Sequence, residues 1–228
     1  KNMNADNNYK IHNPWPLYIG EFFNNENNLI KDELILFFKE YEKNNPKGNE
    51  EKPVTNEGVI NKNLYMSKFT LLKENENNKA LKKLFQFIAK SILETSKIAN
   101  ENHLNMLEDK NPKFEVNIQE SWFIRYNKEG IVFPHTHGGS WCCIYYLQIG
   151  EDSGKKNGST FFLRPYVGDK NKDFGSKYLN QDTVVIEPKE GRLLIWPNYI
   201  YHGSHPYDGN QDKIIVSANS TINLLKDK

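Results

Sequence analysis

The sequence predicts a mainly β chain with supporting helices, closed as a double-stranded β-helix, or jelly roll. Three observations predict it. After Asn111-Pro112, apolar runs of strand length recur at short intervals between Gly, Asn, Asp and Pro turns, and no helical spacing returns. Ahead of them lie two one-faced helical stripes, which need a sheet to cover. The chain has 228 residues, 37% of them hydrophobic and 13% aromatic, enough to fill one core. Regular short strands imply a sandwich or barrel. The arrangement that also uses the leading helices is a jelly roll with helices on the outer face of its larger sheet. The reading is a single domain over 1–228, with 1–113 as helical support and 114–224 as the barrel.

In chain order, residues 1–13 are polar and expected to fray. Pro14-Trp15-Pro16-Leu17-Tyr18-Ile19-Gly20 offers a short strand whose prolines suit an edge. From Asn24 to Tyr41 the apolar Ile30, Leu34, Phe37, Phe38 and Tyr41 fall at helical spacing, and near 78–100 Leu81, Leu84, Phe85, Ile88 and Ile92 form a second stripe. Residues 44–57 read as a surface loop. Leu64 to Thr70 reads as a strand or a lid segment. The run Phe114 to Tyr126 is strand-rich, and further strands are expected at 131–137, 140–149, 159–164, 182–187, 192–196, 199–204 and 213–222.

The net charge is +1, from 30 basic and 29 acidic residues, so no global field favours nucleic acid or an anionic membrane. No apolar run reaches the length of a membrane span. The 2 cysteines, Cys142 and Cys143, are adjacent, a spacing that rarely bridges. A reducing, cytoplasmic compartment is expected. The first residue is Lys1 rather than Met, which leaves room for a leader or a further domain ahead of it.

The chemistry centres on Phe133-Pro134-His135-Thr136-His137. On an extended strand, residues i and i+2 share a face, so His135 and His137 can converge on one ion, with His202 closing a facial set from another strand. An alternating histidine pair alone is equally an ordinary half-buried motif. The segments around it make the pattern specific. They run Tyr126-x-x-x-Gly130-x-x-Phe133-x-His135-x-His137, Cys143-Ile144-Tyr145-Tyr146-Leu147, Gly158-Ser159-Thr160-Phe161-Phe162, Gly191-Arg192-Leu193-Leu194-Ile195-Trp196-Pro197, then His202 and Lys213.

This series resembles the iron(II)- and 2-oxoglutarate-dependent oxygenases over about 126–219. Within them it is similar to the prolyl-hydroxylase-like branch, and more closely to a family of oxygenases common in marine bacteria and phages. The resemblance implies an Fe(II)- and 2-oxoglutarate-dependent dioxygenase. Oxidative decarboxylation of 2-oxoglutarate to succinate would be coupled to hydroxylation of a peptide, protein or small-molecule substrate. It implies Fe(II) on His135, His137 and His202. Lys213, Tyr146 and Tyr126 would form the cosubstrate pocket, with Thr160 and Asn219 at further pocket positions. No other side chain need act as a general base, because the metal centre supplies the hard step. Strand alternation puts Cys142, Ile144 and Tyr146 on one face and turns Tyr145 into the packing between the sheets.

The family's usual motif carries an acid two residues after the first histidine, where this chain has His137. A neutral imidazole there leaves an iron complex one positive charge higher. His137 is therefore an iron ligand, a group facing the substrate, or the remnant of an inactive site. Two rival functions stand beside the oxygenase. One is a three-histidine, cupin-type dioxygenase that uses no 2-oxoglutarate; the other is a non-catalytic jelly-roll module that binds metal or serves structurally. Lys213 favours the oxoacid, since a charge on an apolar strand needs a partner. Smaller signals have two readings each: Gly138-Gly139 as close approach or turn, Arg164 as anion contact or rim ion pair, residues 166–181 as a cover over the mouth or a surface excursion. His205 reads as a solvated loop residue, and His12 and His103 have no constellation around them.

Overall fold

Two antiparallel sheets arise because each barrel strand alternates two apolar sets, one for each face. The computed structural model describes residues 16–49, 62–109, 111–165, 174–179 and 181–225. The larger sheet has six strands in the order β1 (Gly20–Phe23), β7 (Arg192–Pro197), β4 (Trp141–Gln148), β9 (Lys213–Leu225), β3 (Lys113–Ile131) and β2 (Lys62–Met66). The smaller sheet orders β6 (Thr183–Ile186), β5 (Thr160–Leu163) and β8 (His202–Ser204). This is the jelly roll that the strand spacing predicts.

The helices are α1 (Asn27–Asn44), α2 (Leu71–Glu74), α3 (Lys79–Ala99) and α4 (Glu101–Leu104). α3 starts where the Asn78 side chain accepts the Leu81 N–H at 2.9 Å, an N-cap that satisfies one free donor. The stripes of α1 and α3 bury Ile30, Leu34 and Phe38 with Leu81, Leu84, Ile88 and Ile92 against Phe123, Leu193, Ile195 and Val216 of the larger sheet. Phe38 of α1 stacks on Phe123 with ring centroids 4.1 Å apart, and a Glu42 pair with Arg125 ties the same helix to β3.

The inner face of that sheet carries the second core, in which Trp122, Ile124, Tyr126, Tyr146, Leu194, Trp196 and Ile215 meet Phe162 of the smaller sheet. Parity along β3 changes partway. Val116 and Ile118 pack on the helix side, whereas Trp122, Ile124 and Tyr126 face inward. The switch occurs at a β-bulge, where the register with β9 shifts between Ile118 and Glu120 and Gln119 has no opposite number. A strand of 19 residues thereby serves both cores.

Several expectations change. The first strand begins at Gly20 rather than 14, and Pro14 and Trp15 lie outside the described residues. The segment expected as strand 131–137 is irregular, joined to β8 by reciprocal His135–His202 backbone bonds of 3.0 and 3.1 Å. Strand 199–204 shrinks to β8 because Pro197-Asn198-Tyr199 forms a turn, with the Ile200 N–H returning to the Pro197 carbonyl. Of the segment 64–70, the first three residues end β2 and residues 67–70 connect it to α2. The proposed mouth loop falls mostly on 166–173 and 180, outside the described residues; 174–179 is a turn of 3₁₀ helix where no helical signal was expected. Tyr145 does not pack between the sheets. Alternation does separate it from Tyr146, but the side it takes is the helix side, where its hydroxyl donates to Asn27 Oδ1 at 2.6 Å. Among the described residues, no helix is long and apolar enough to cross a membrane.

Candidate metal centre and cosubstrate pocket

Backbone pairing between the 132–137 segment and β8 brings the three histidines together. One ligand nitrogen from each of His135, His137 and His202 lies within 4.8 Å of the others. The orientation of each ring has a cause. His135 Nδ1 lies 2.8 Å from the Phe133 carbonyl and His202 Nδ1 lies 3.1 Å from the Ile200 carbonyl. A carbonyl only accepts, so Nδ1 carries the proton in both rings and Nε2 keeps its lone pair for the shared centre. His137 Nε2 lies 3.2 Å from His202 Nε2. Two nitrogens each about 2.1 Å from one ion, at right angles, would stand roughly 3 Å apart, so this spacing suits cis ligands.

The rings are held from the sides. His202 packs against Trp196 at 4.5 Å and His137 against Trp122 at 5.6 Å between centroids. Burial pushes the pKa of all three imidazoles below the ordinary value, His137 to about 3. Neutral imidazole is the form that ligates. The donor set is therefore three neutral nitrogens converging on one point, which fits a divalent first-row ion.

A cavity of about 190 Å³ opens beside this cluster, lined in part by Trp122, Tyr126, Glu120 and Asn219. Lys213, Tyr146 and Thr160 lie behind its wall, each at most 1% exposed. Tyr126 and Lys213 are paired across β3 and β9, and the Tyr126 ring stands over the ammonium at 4.1 Å from its centroid. Lys213 Nζ donates to the Gly158 carbonyl at 2.6 Å. Gly158 is left-handed at φ +72°, and a Cβ there would come within 2.7 Å of the Tyr207 ring, so glycine is what lets this carbonyl face the lysine. No carboxylate pairs with Lys213 among the described residues, and burial alone pushes its pKa down to about 7. Beside it, the Tyr146 hydroxyl hydrogen-bonds Thr160 Oγ1.

The predicted site residues thus fall into two groups in the space between the sheets. His135, His137 and His202 form the first; Lys213, Tyr126, Tyr146 and Thr160 form the second. Asn219 belongs to neither. It lines the cavity and its Nδ2 donates to Glu120 Oε2 at 2.6 Å. Glu120 and Trp122 are cavity residues that sequence reasoning missed. An acid at the head of the alternating Trp122, Ile124, Tyr126 face was the available signal, hidden by the bulge that sets its direction.

The smaller signals resolve. Gly139 has φ +76° and a Cβ there would meet the Ser220 carbonyl at 2.8 Å, so it makes a turn against β9. Gly138 lines the cavity. Arg164 pairs with Asp182 at 3.0 Å. His205 is half-buried, with Nδ1 2.7 Å from Ser159 Oγ, rather than solvated. Cys142 and Cys143 are free and buried on opposite faces of β4, and burial pushes both thiols up, Cys143 to about 12.

Residues 120–219, which contain every predicted site residue, match the model of a family described as "Putative 2OG-Fe(II) oxygenase". The fold is similar to that of a prolyl-4-hydroxylase from Pseudomonas putida, with 11% identity, a TM-score of 0.53, and 88% of this chain and 90% of that one covered. It is also similar to a prolyl hydroxylase from Trichoplax adhaerens, solved with a hypoxia inducible factor oxygen degradation domain peptide fragment. There the identity is 11%, the TM-score 0.55, and the coverage 89% of this chain and 82% of that one. No curated protein matches the chain. At such identities the two structures carry the fold; the oxygenase likeness rests on the family model.

Proposed function

We propose that this chain, whose residues 120–219 match the model of a 2OG-Fe(II) oxygenase family, works as such an oxygenase, that His135, His137 and His202 hold the iron and that Lys213, Tyr146, Tyr126 and Thr160 receive 2-oxoglutarate. The reaction of this family is oxidative decarboxylation of 2-oxoglutarate to succinate coupled to hydroxylation of a substrate. One observation supports the residue roles: Tyr126 lines the cavity with the three imidazoles and also covers the buried Lys213 ammonium, which has no carboxylate partner among the described residues. A buried ammonium with only a carbonyl and aromatic faces for company is poised for an anion.

Bound iron supplies the redox chemistry, and the chain supplies position and shielding. The carbonyls of Phe133 and Ile200 fix the tautomers of His135 and His202, so both present Nε2 without rearrangement. Lys213 would pair with the far carboxylate of 2-oxoglutarate, and the Tyr146 and Thr160 hydroxyls, bonded to each other here, would be the neighbouring hydrogen-bonding groups. Tyr126 stands between the cavity and the ammonium, so it would form the wall of the cosubstrate pocket at that point. The apolar wall of Trp122, Ile124, Val132 and Ile215 excludes water from the reacting centre.

The substrate is a peptide, a protein or a small molecule reached through the cavity. A cytoplasmic location belongs to the same proposal, supported by two buried free thiols.

The test is an anaerobic titration of metal-free protein with Fe(II) and then 2-oxoglutarate, followed by visible spectroscopy. The expected result is a saturable charge-transfer band that His202→Ala abolishes and Lys213→Ala shifts to much higher 2-oxoglutarate. Bound iron without a band would point instead to a three-histidine dioxygenase that uses no oxoacid. Failure to bind iron would point to a non-catalytic module.

A further inference from the structure

Within the cavity, Glu120, Asn219 and Trp122 carry polar atoms that the metal centre and the lysine pocket do not use, and two of those atoms, Asn219 Oδ1 and Trp122 Nε1, are buried without a partner among the described residues. Glu120 is the only formally charged side chain among the described residues that line it. It sits immediately after the bulge that turns this end of β3 inward. Asn219, opposite it on β9, gives its Nδ2 to Glu120 Oε2 at 2.6 Å. A carboxylate accepts and does not donate, so this bond fixes which end of the amide faces Glu120. It leaves Asn219 Oδ1 pointing elsewhere, and that oxygen is buried without a hydrogen-bond partner among the described residues. Asn219 is only 3% exposed, so the acceptor cannot be satisfied at the open surface.

The neighbouring wall is aromatic. Trp122 is 5% exposed, carries Phe69 edge-on at 4.9 Å, and approaches His137 on its other side. The subsite therefore offers a carboxylate and an unpaired amide oxygen, both acceptors, beside an indole whose buried Nε1–H is also without a partner among the described residues; the only charge among these groups is the negative one of Glu120. Acceptors with negative charge next to an aromatic face select a donor with positive charge.

We propose that Glu120, Asn219 and Trp122 form a recognition subsite for a protonated amine or guanidinium on the substrate, adjoining the three-histidine centre. The substrate class is thus cationic: an amine-bearing metabolite or a basic side chain. This rests on the reading of the cavity as the substrate end of an oxygenase. Glu120 here is a specificity residue that touches substrate. It lies outside the metal-donor cluster, which comprises the three histidines alone among the described residues.

The test uses the full chain loaded with Zn(II) and 2-oxoglutarate, so that binding is read without turnover. Lysine, arginine and agmatine are compared with norleucine and glutamate by saturation-transfer NMR and calorimetry. At least one cation is expected to bind tenfold or more tighter than norleucine, with glutamate weakest. Loss of one charge-assisted contact predicts roughly tenfold to hundredfold weaker cation binding in Glu120→Gln. Asn219→Leu, which keeps the branching of the side chain but removes both the acceptor and the Nδ2 bond to Glu120, should weaken the same ligand without weakening norleucine. Metal content measured on each variant completes the set. If no cation exceeds norleucine, or Glu120→Gln binds cations as wild type does, the inference fails while the oxygenase reading stands. If Glu120→Gln loses its metal, Glu120 is a ligand rather than a recognition group, and the inference also fails. A missing charge-transfer band in the iron titration would instead count against the oxygenase reading.

Discussion

Replacing Lys213 with Met should make the metal-free protein more stable and leave it unable to use 2-oxoglutarate. The ammonium is 1% exposed and has no carboxylate partner among the described residues, and its pKa falls from 10.5 to about 7 through burial alone. That gap, at ~1.4 kcal/mol for each pH unit, is roughly 5 kcal/mol held against the charged form. The sign follows from proton counts. Below pH 7 both folded and unfolded chains carry the proton, and the folded state bears the whole penalty. Between pH 7 and 10.5 the unfolded chain binds more protons than the folded one, so stability rises with pH. The bond to Gly158 and the Tyr126 face offset part of the penalty, so Lys213→Met should gain about 1–4 kcal/mol at pH 6. The gain should shrink by about 2–3 kcal/mol at pH 9. Urea unfolding of both proteins at the two pH values measures this. A variant less stable than wild type at pH 6, or a gap indifferent to pH, would refute the claim that the ammonium is an uncompensated buried charge. A second arm reads function: 2-oxoglutarate at a hundredfold excess over its Kd should stabilise Zn(II)-loaded wild type by about 2.7 kcal/mol and leave the variant unmoved.

The same charge sets the pH dependence of cosubstrate binding. The dicarboxylate needs the protonated lysine, so affinity should be full below about pH 7 and weaken as pH rises above it, by calorimetry, with Lys213→Met lacking that dependence. Metal binding should depend on His202, whose Nε2 is aimed by the Ile200 carbonyl. His202→Ala should lose stoichiometric iron, whereas His137→Asp, which restores the family's usual acid, should keep it, both read by metal analysis. Tyr145→Phe should cost about 1 kcal/mol in urea unfolding through the buried bond to Asn27, with no change in metal content. Asn78→Ala should cost a similar ~1 kcal/mol by unfastening the start of α3, measured the same way.

Much of this protein is determined by local pattern, which a sequence displays directly. The stripes Ile30, Leu34, Phe38 and Leu81, Leu84, Ile88 each need a surface to cover, and period-2 alternation along β4, β7 and β9 supplies a sheet with two apolar faces. The histidines at 135, 137 and 202 and the lysine at 213 are legible because their spacing survives whatever the loops do. What tertiary structure decided is direction and adjacency. A single extra residue at Gln119 reverses the parity of β3, which turns Glu120 and Trp122 into the cavity. Alternation separates Tyr145 from Tyr146 but does not say which face holds the helices, and Tyr145 took that face. The resemblance places Asn219 at a cosubstrate-pocket position. Across the sheet it stands opposite Glu120 and bonds to it, a neighbour set by register between strands about 100 residues apart in sequence, which no local pattern displays.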